Sequence, residues 1–238
     1  MKYAGGIMVS KSSGSLIKQA WWLLSHRPTR VYQLARGYAL FLLARGVRAV
    51  WTNPGITLGK NVRLQKNSSL MAEAPGARIT IGEHSVIYED TAIEAYGAAR
   101  VVVGSSAMLG GLRIVSRYGV SIGERFLSSW GVFIQDYDSH PVAADLRGQQ
   151  VQLMVSNLRP RFDGGAVKPP PLEGWDFPGE TITIGNDVWI GANCTILKGA
   201  HIGDGCVVAT GAVVLRGTFP GNSLIAGNPA VVVKSLNA

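Results

Sequence analysis

The stretch "ITIGNDVWIGANCTILKGAHIGDGCVVATGAVVL", residues 182–215, places an aliphatic side chain at every sixth position: Ile184, Ile190, Ile196, Ile202, Val208 and Val214. Two residues before each stand Ile182, Val188, Cys194, Ala200, Cys206 and Ala212, and glycine follows the aliphatic at Gly185, Gly191 and Gly203. A period of six is neither that of a helix nor the simple alternation of a two-sided sheet. It is the pattern of a parallel β-helix wound from hexapeptide rungs. Three short strands then make one triangular coil of about eighteen residues. Each aliphatic points inward and lies roughly 4.8 Å from its equivalent one coil later. The spacing therefore predicts that Ile184 stacks on Ile202, Ile190 on Val208 and Ile196 on Val214.

The same period is present upstream, less regularly. Leu58, Leu64 and Leu70 are six apart. So are Ile81, Ile87 and Ile93, then Val103, Leu109 and Val115, then Ile122, Ser128 and Ile134. Between the two runs the chain reads "QDYDSHPVAADLRG" at 135–148 and "KPPPLEGWDFPGE" at 168–180, with no hexad. Residues 141–181 are thus expected to form a long loop outside the coil, and a loop of that length is usually functional. Residues 15–50 carry apolar positions at helical spacing, broken at Pro28, and read as two helices. The longest apolar run there, "YALFLLA", is far short of the ~20 residues that cross a bilayer. The expected organisation is an N-terminal helical cap and membrane-contact segment, 1–55, followed by an all-β domain, 56–238.

Composition narrows the partners. Thirty glycines and only 16% charged residues suit a turn-rich β architecture rather than a helical bundle. Cys194 and Cys206 are the only cysteines, and no cysteine–histidine cluster has ligand spacing, so neither a disulfide framework nor a bound metal is expected. They read as small core residues in a reducing compartment. The N-terminus does not read as a signal peptide. Residues 1–72 hold eleven Lys or Arg and no Asp or Glu, so the net charge of +8 belongs to that third of the chain. Such a field favours an anionic partner. With no groove-reading motif, nucleic acid is not expected. A peripheral place on the cytoplasmic side of an anionic inner membrane is the expectation instead.

The hexads, "DVWIGAN" at 187–193, "IAGNPA" at 225–230 and "SHP" at 139–141 ahead of a long loop resemble the hexapeptide-repeat acyltransferases. The closest branch contains maltose, galactoside, xenobiotic and capsular-polysaccharide acetyltransferases. The resemblance implies left-handed coils, an exception to the usual handedness of parallel connections. It also implies a homotrimer whose site lies where two subunits meet, with acetyl-CoA as acyl donor. It makes His140 the general base that takes a proton from the acceptor hydroxyl. A backbone amide or the indole N–H of Trp189 would then stabilise the oxyanion. Ala192, Thr210, Arg216 and Lys234 match the family's donor-binding positions. Asp136 and Asp138 are candidates for orienting His140 or binding a sugar, and Trp130 for stacking on one. The chain departs from the family at Gly110–Gly111, where relatives that act on small sugars place an asparagine, and at Val231, where relatives often carry a cation. The implied reaction is acetyl-CoA-dependent O-acetylation of a sugar hydroxyl, on a polysaccharide or lipid-linked glycan. N-acylation of an aminosugar, nucleotide sugar or drug, and a non-catalytic scaffold, are the alternatives.

Overall fold

A computed structural model of the chain describes residues 53–73, 75–158 and 176–236. The expected N-terminal helices and their membrane contact lie outside the described residues, as does most of the second half of the excursion. Among the described residues no helix is long and apolar enough to cross a membrane.

An aliphatic side chain at every sixth position can reach a common interior only if the chain turns after each short strand. It does so throughout, giving three parallel sheets. Sheet A holds β1 (Ile56–Leu58), β4 (Arg78–Ile81), β7 (Arg100–Val103), β10 (Val120–Ile122), β13 (Ile182–Ile184), β16 (Ala200–Ile202) and β19 (Gly217–Phe219). Sheet B holds β2 (Arg63–Leu64), β5 (Val86–Ile87), β8 (Met108–Leu109), β11 (Leu127–Ser128), β14 (Trp189–Ile190), β17 (Val207–Val208) and β20 (Ser223–Gly227). Sheet C holds β3 (Ser69–Ala72), β6 (Ala92–Ala95), β9 (Arg113–Ser116), β12 (Phe133–Gln135), β15 (Thr195–Leu197) and β18 (Val213–Val214). The chain visits A, B and C in turn, so each coil has three edges: A/B, B/C and C/A. Among the described residues, β21 (Ala230–Ser235) alone runs antiparallel, folding back on β20.

The core is the column of inward aliphatics. Ile184 pairs with Ile202, Ile190 with Val208 and Ile196 with Val214, as the spacing predicts. All are buried. Burying an Ile or Val side chain is worth about 1.5–3 kcal/mol, so repetition alone supplies a strong interior. Ser128, at an inward hexad position, is buried but satisfied, since its Oγ accepts a 2.8 Å hydrogen bond from Gly110 N–H. Cys194 and Cys206 are free and fully buried, and burial pushes both thiols up. They are core residues.

Two expectations need correction. The hexad Val103, Leu109, Val115 is one residue out at its end. Ile114, not Val115, stacks between Ile93 and Ile134, while Val115 pairs with Glu94 and Gln135. The turn at Gly110–Gly111 is one residue shorter than a regular corner, with Gly111 at φ 49°. Side chains alternate along a strand, so that one-residue change turns Val115 to the opposite face from Ile114. The second correction concerns the excursion. Its first part is not irregular, because residues 144–158 form an α-helix, α1 (Ala144–Leu158).

Candidate active site

The chain leaves the coil after β12 and returns before β13, at the C/A edge. The exit and return paths are tied together by hydrogen bonds from Asp138 N–H to Pro178 O and from Glu180 N–H to Asp136 O, both 2.9 Å. His140 stands just beyond this tie and is exposed. Its Nδ1 lies 2.8 Å from Gln150 Oε1 on α1. Gln150 Nε2 also donates to Ser139 O at 3.1 Å. One turn earlier on the helix, Arg147 Nη1 donates to Pro141 O at 3.0 Å and to Val142 O at 2.7 Å. Helix α1 therefore grips the segment around His140 at two points.

Asp136 does not orient the histidine or face a sugar. It is fully buried. Its Oδ2 accepts from Ser116 Oγ at 2.5 Å, Tyr118 N–H at 3.0 Å and Gly119 N–H at 2.6 Å, and its Oδ1 accepts from Arg117 N–H at 2.8 Å. These four donors consume the carboxylate, so Asp136 holds the corner of the coil below. Asp138 is partly exposed and is paired with Lys198 Nζ at 2.5 Å. Arg216, expected among the donor-binding residues, also lies at the C/A edge and pairs with Glu180.

The remaining candidates lie elsewhere on the coil. Trp189 is on β14, with its indole Nε1 donating to Ser129 Oγ at 3.3 Å. Trp130 is 67% exposed at the B/C edge, where Asn193 N–H donates to its carbonyl at 2.9 Å. Ala192 and Thr210 occupy the same edge one coil apart, and Gly211 N–H bonds Ala192 O at 2.9 Å. The chain turns sharply there, with Asn193 at φ 55° and Gly211 at φ 76°, conformations that Asn and Gly adopt at low cost. The result is a narrow edge carrying small side chains. Lys234 is on β21, paired with Leu224 at the end of sheet B.

Apart from Lys234, the predicted residues thus fall into two groups on opposite sides of sheet C. His140, Asp136, Asp138 and Arg216 share the C/A edge. Trp130, Trp189, Ala192 and Thr210 share sheet B and the B/C edge. Within one chain the structure does not bring Trp189 to His140. Sequence reasoning also missed Gln150, Arg147, Lys198 and Glu180. The helix that carries the first two had one readable sign: Pro141 ahead of a run rich in helix formers, "AADLRGQQVQLM".

Residues 181–216 match the family model for the bacterial transferase hexapeptide (six repeats). The chain is 30% identical to galactoside O-acetyltransferase of Escherichia coli (strain K12) over 175 residues, which is 73% of this chain and 70% of that protein. The chain belongs to the hexapeptide-repeat acetyltransferase family. It is also 29% identical over 216 residues to a protein of Mycobacterium tuberculosis described as a probable acetyltransferase. That alignment takes in 90% of this chain but only 61% of the mycobacterial protein's length. AntD, an N-acyltransferase from Bacillus cereus solved with dTDP and 3-hydroxybutyryl-CoA, superposes with a TM-score of 0.53 at 19% identity, over 76% of this chain and 84% of that one. That likeness establishes the shared β-helix alone.

Proposed function

We propose that this chain transfers an acetyl group from acetyl-CoA to a sugar hydroxyl of a polysaccharide or lipid-linked glycan. The observation that carries the reading is the placement of His140: exposed, just outside the coil, and held by a helix that has no counterpart in the repeat. His140 takes the proton of the acceptor hydroxyl, the resulting alkoxide attacks the thioester carbonyl, and His140 passes the proton to the departing thiolate. Histidine suits this shuttle because it exchanges a proton near neutral pH. An amine acceptor would use the same base, so aminosugars belong in the test.

The donor fits the B/C edge. Its narrow backbone, with the small Ala192 and Thr210 one coil apart, suits a thin pantetheine-like chain. Arg216 fits poorly as a phosphate ligand to that same edge, because it lies on the other side of sheet C and is paired with Glu180. A site that uses both edges is therefore assembled from two copies, His140 of one facing Trp189, Ala192 and Thr210 of the next. The outer face of sheet B supports such an assembly. Met108, Leu127 and Trp189 are register neighbours there and remain 41–48% exposed, an apolar column suited to burial in a homotrimer. The basic N-terminal third suits a peripheral position at an anionic membrane, where a lipid-linked acceptor is presented.

The test is a screen for CoA release from acetyl-CoA with the purified full chain, run against glycans, free and nucleotide-linked sugars, and aminosugars. Acceptor-dependent release with a hydroxyl sugar is expected. Release only with amines would replace O- by N-acylation, and no acceptor-dependent release at all would overturn the reading.

A further inference from the structure

We propose that Gln150 is a positioning residue that fixes His140 in the Nδ1–H tautomer and leaves Nε2 as the proton-accepting nitrogen. The inference rests on the reading of His140 as the base. Its geometric part stands independently.

Gln150 has one end that only donates and one that only accepts. One end lies 3.1 Å from the carbonyl oxygen of Ser139, which can only accept, so that end is the NH2 group. The other end, 2.8 Å from His140 Nδ1, is therefore the oxygen. An amide oxygen cannot donate, so Nδ1 must carry the hydrogen. A neutral imidazole has a single N–H, and Nε2 is left with its lone pair. Reversing the amide would set its oxygen against the Ser139 carbonyl oxygen and lose a hydrogen bond. Gln150 is only 7% exposed, so little water is at hand to compensate.

The surrounding contacts make the bond rigid. Gln135 Nε2 donates to Ser139 Oγ, anchoring the residue before the histidine to the last strand before the excursion. Arg147 anchors the two residues after it. Arg147 and Gln150 are three apart and share one face of α1. The helix thus acts as a splint along residues 139–142, and Gln150 is the point at which the splint touches the imidazole. In unrestrained histidine the neutral ring favours the other tautomer, with hydrogen on Nε2. Without Gln150 most neutral His140 would then offer the wrong nitrogen or the wrong ring orientation. A glutamine also imposes the tautomer without placing a charge beside the ring.

Two variants separate this role from simple anchoring. Gln150→Leu removes both the acceptor and the donor. Gln150→Glu keeps an acceptor against Nδ1 but loses donation to Ser139. The first measurement is 15N NMR of the full chain labelled at histidine, with the His140 signals identified by their loss in His140→Gln. Wild type should show a protonated Nδ1 and an unprotonated Nε2 in the neutral ring. Gln150→Leu should move toward Nε2–H, and Gln150→Glu should keep the wild-type pattern. The second measurement is acetyl-CoA turnover with the acceptor found above. Gln150→Leu should lower kcat on the order of 10–100-fold, as losing a histidine's orienting partner does, with KM for acetyl-CoA within about twofold. Gln150→Glu should recover most of that loss. A wild-type ring with hydrogen on Nε2 overturns the proposal. So does a Gln150→Glu variant that behaves like Gln150→Leu, since that marks Gln150 as an anchor only. If His140→Gln itself keeps full turnover, the base reading fails, while the tautomer measured by NMR still tests the geometry.

Discussion

The B/C and C/A edges of the same coil are built on opposite principles. At the B/C edge, consecutive coils are joined mainly by backbone hydrogen bonds, such as Asn193 N–H to Trp130 O and Gly211 N–H to Ala192 O. In the coils that flank the excursion the side chains there are small, apart from the exposed Trp130 and Asn193. At the C/A edge side chains add to the backbone joints: Asp136 sits under four donors, Asp138 pairs with Lys198 and Glu180 with Arg216, and Gln150 holds His140 beyond them. One edge offers a shape that something extended can lie along. The other offers placed chemical groups. A β-helix that repeated perfectly would have three edges of the first kind, so the excursion at the C/A edge is where this fold departs from pure repetition, and it carries His140, the proposed base.

If that division is correct, the largest effect belongs to His140. His140→Ala should lower kcat by about 10²–10⁴, the usual worth of a general base, while the Kd for CoA stays within about threefold, because the donor lies along the other edge. Calorimetric titration of CoA checks the second half. A large loss of CoA affinity would mean that the two edges are not separate in function.

The next test asks whether the two edges meet across a subunit boundary. His140→Ala destroys the C/A half, and Thr210→Trp obstructs the exposed B/C half. Each protein alone should be nearly inactive. Refolding the two together at equal amounts should restore activity, because each mixed trimer regains one interface with both halves intact. Random assembly in a cyclic trimer predicts recovery of about a quarter of wild-type turnover. No recovery, in a mixture shown by differential tags to contain both chains, would place the whole site within one chain.

A stability test distinguishes Asp136 from its neighbour Asp138. Asp136→Ala strands three backbone N–H groups and the Ser116 hydroxyl in a buried corner. Each stranded donor costs about 1–3 kcal/mol, so a total on the order of 4 kcal/mol and a Tm lower by roughly 10 °C are expected. Asp138→Ala removes a half-exposed ion pair and should cost less than about 1 kcal/mol. Thermal unfolding of both variants checks this. A stable Asp136→Ala variant with impaired turnover would return Asp136 to the substrate site.

The contrast between edges also explains what could be read in the sequence. The six aliphatics from Ile184 to Val214 reveal the fold because each inward position is set by the same local geometry, and no long-range information is needed. The reading weakens upstream, where the pairing steps lengthen: Leu58 meets Ile81, 23 residues on, whereas Ile184 meets Ile202, 18 residues on. One shortened corner at Gly110–Gly111 was enough to misplace Val115. His140 was readable because it sits at the break in the repeat. Its environment was not. Asp136 stands four residues from the histidine and carries the right chemistry for a substrate ligand, yet burial and its four donors decide its role, and neither is written in the spacing. Gln150 is ten residues beyond His140, and only the docking of α1 brings them together.

The third edge, A/B, sets the lower end of the scale. Arg125 and Asp187 are 62 residues apart in sequence and lie on either side of the excursion, yet they form a two-point ion pair, Nε to Oδ1 at 2.6 Å and Nη2 to Oδ2 at 2.8 Å. The Arg125 guanidinium, through its hydrogen bonds first, holds the Asp187 carboxyl below its ordinary value of 3.8. A carboxyl depressed in the folded state stabilises the fold at pH above its unfolded value, and that contribution is lost as pH falls through the folded value. The pair therefore helps in full at neutral pH, and its help declines as pH drops below 3.8 and is gone below the still lower folded value. Both side chains are 52% exposed, so solvent and salt screen the interaction. Asp187→Asn should lower Tm by only about 1 °C at pH 7 and low ionic strength. The difference from wild type should shrink toward zero as pH falls below 3.8 and through the lower folded value of Asp187, and again in about 1 M salt, where screening is nearly complete. A Tm loss comparable to that of Asp136→Ala would mean that the A/B pair, rather than the buried carboxylate at the C/A edge, closes the coil across the excursion.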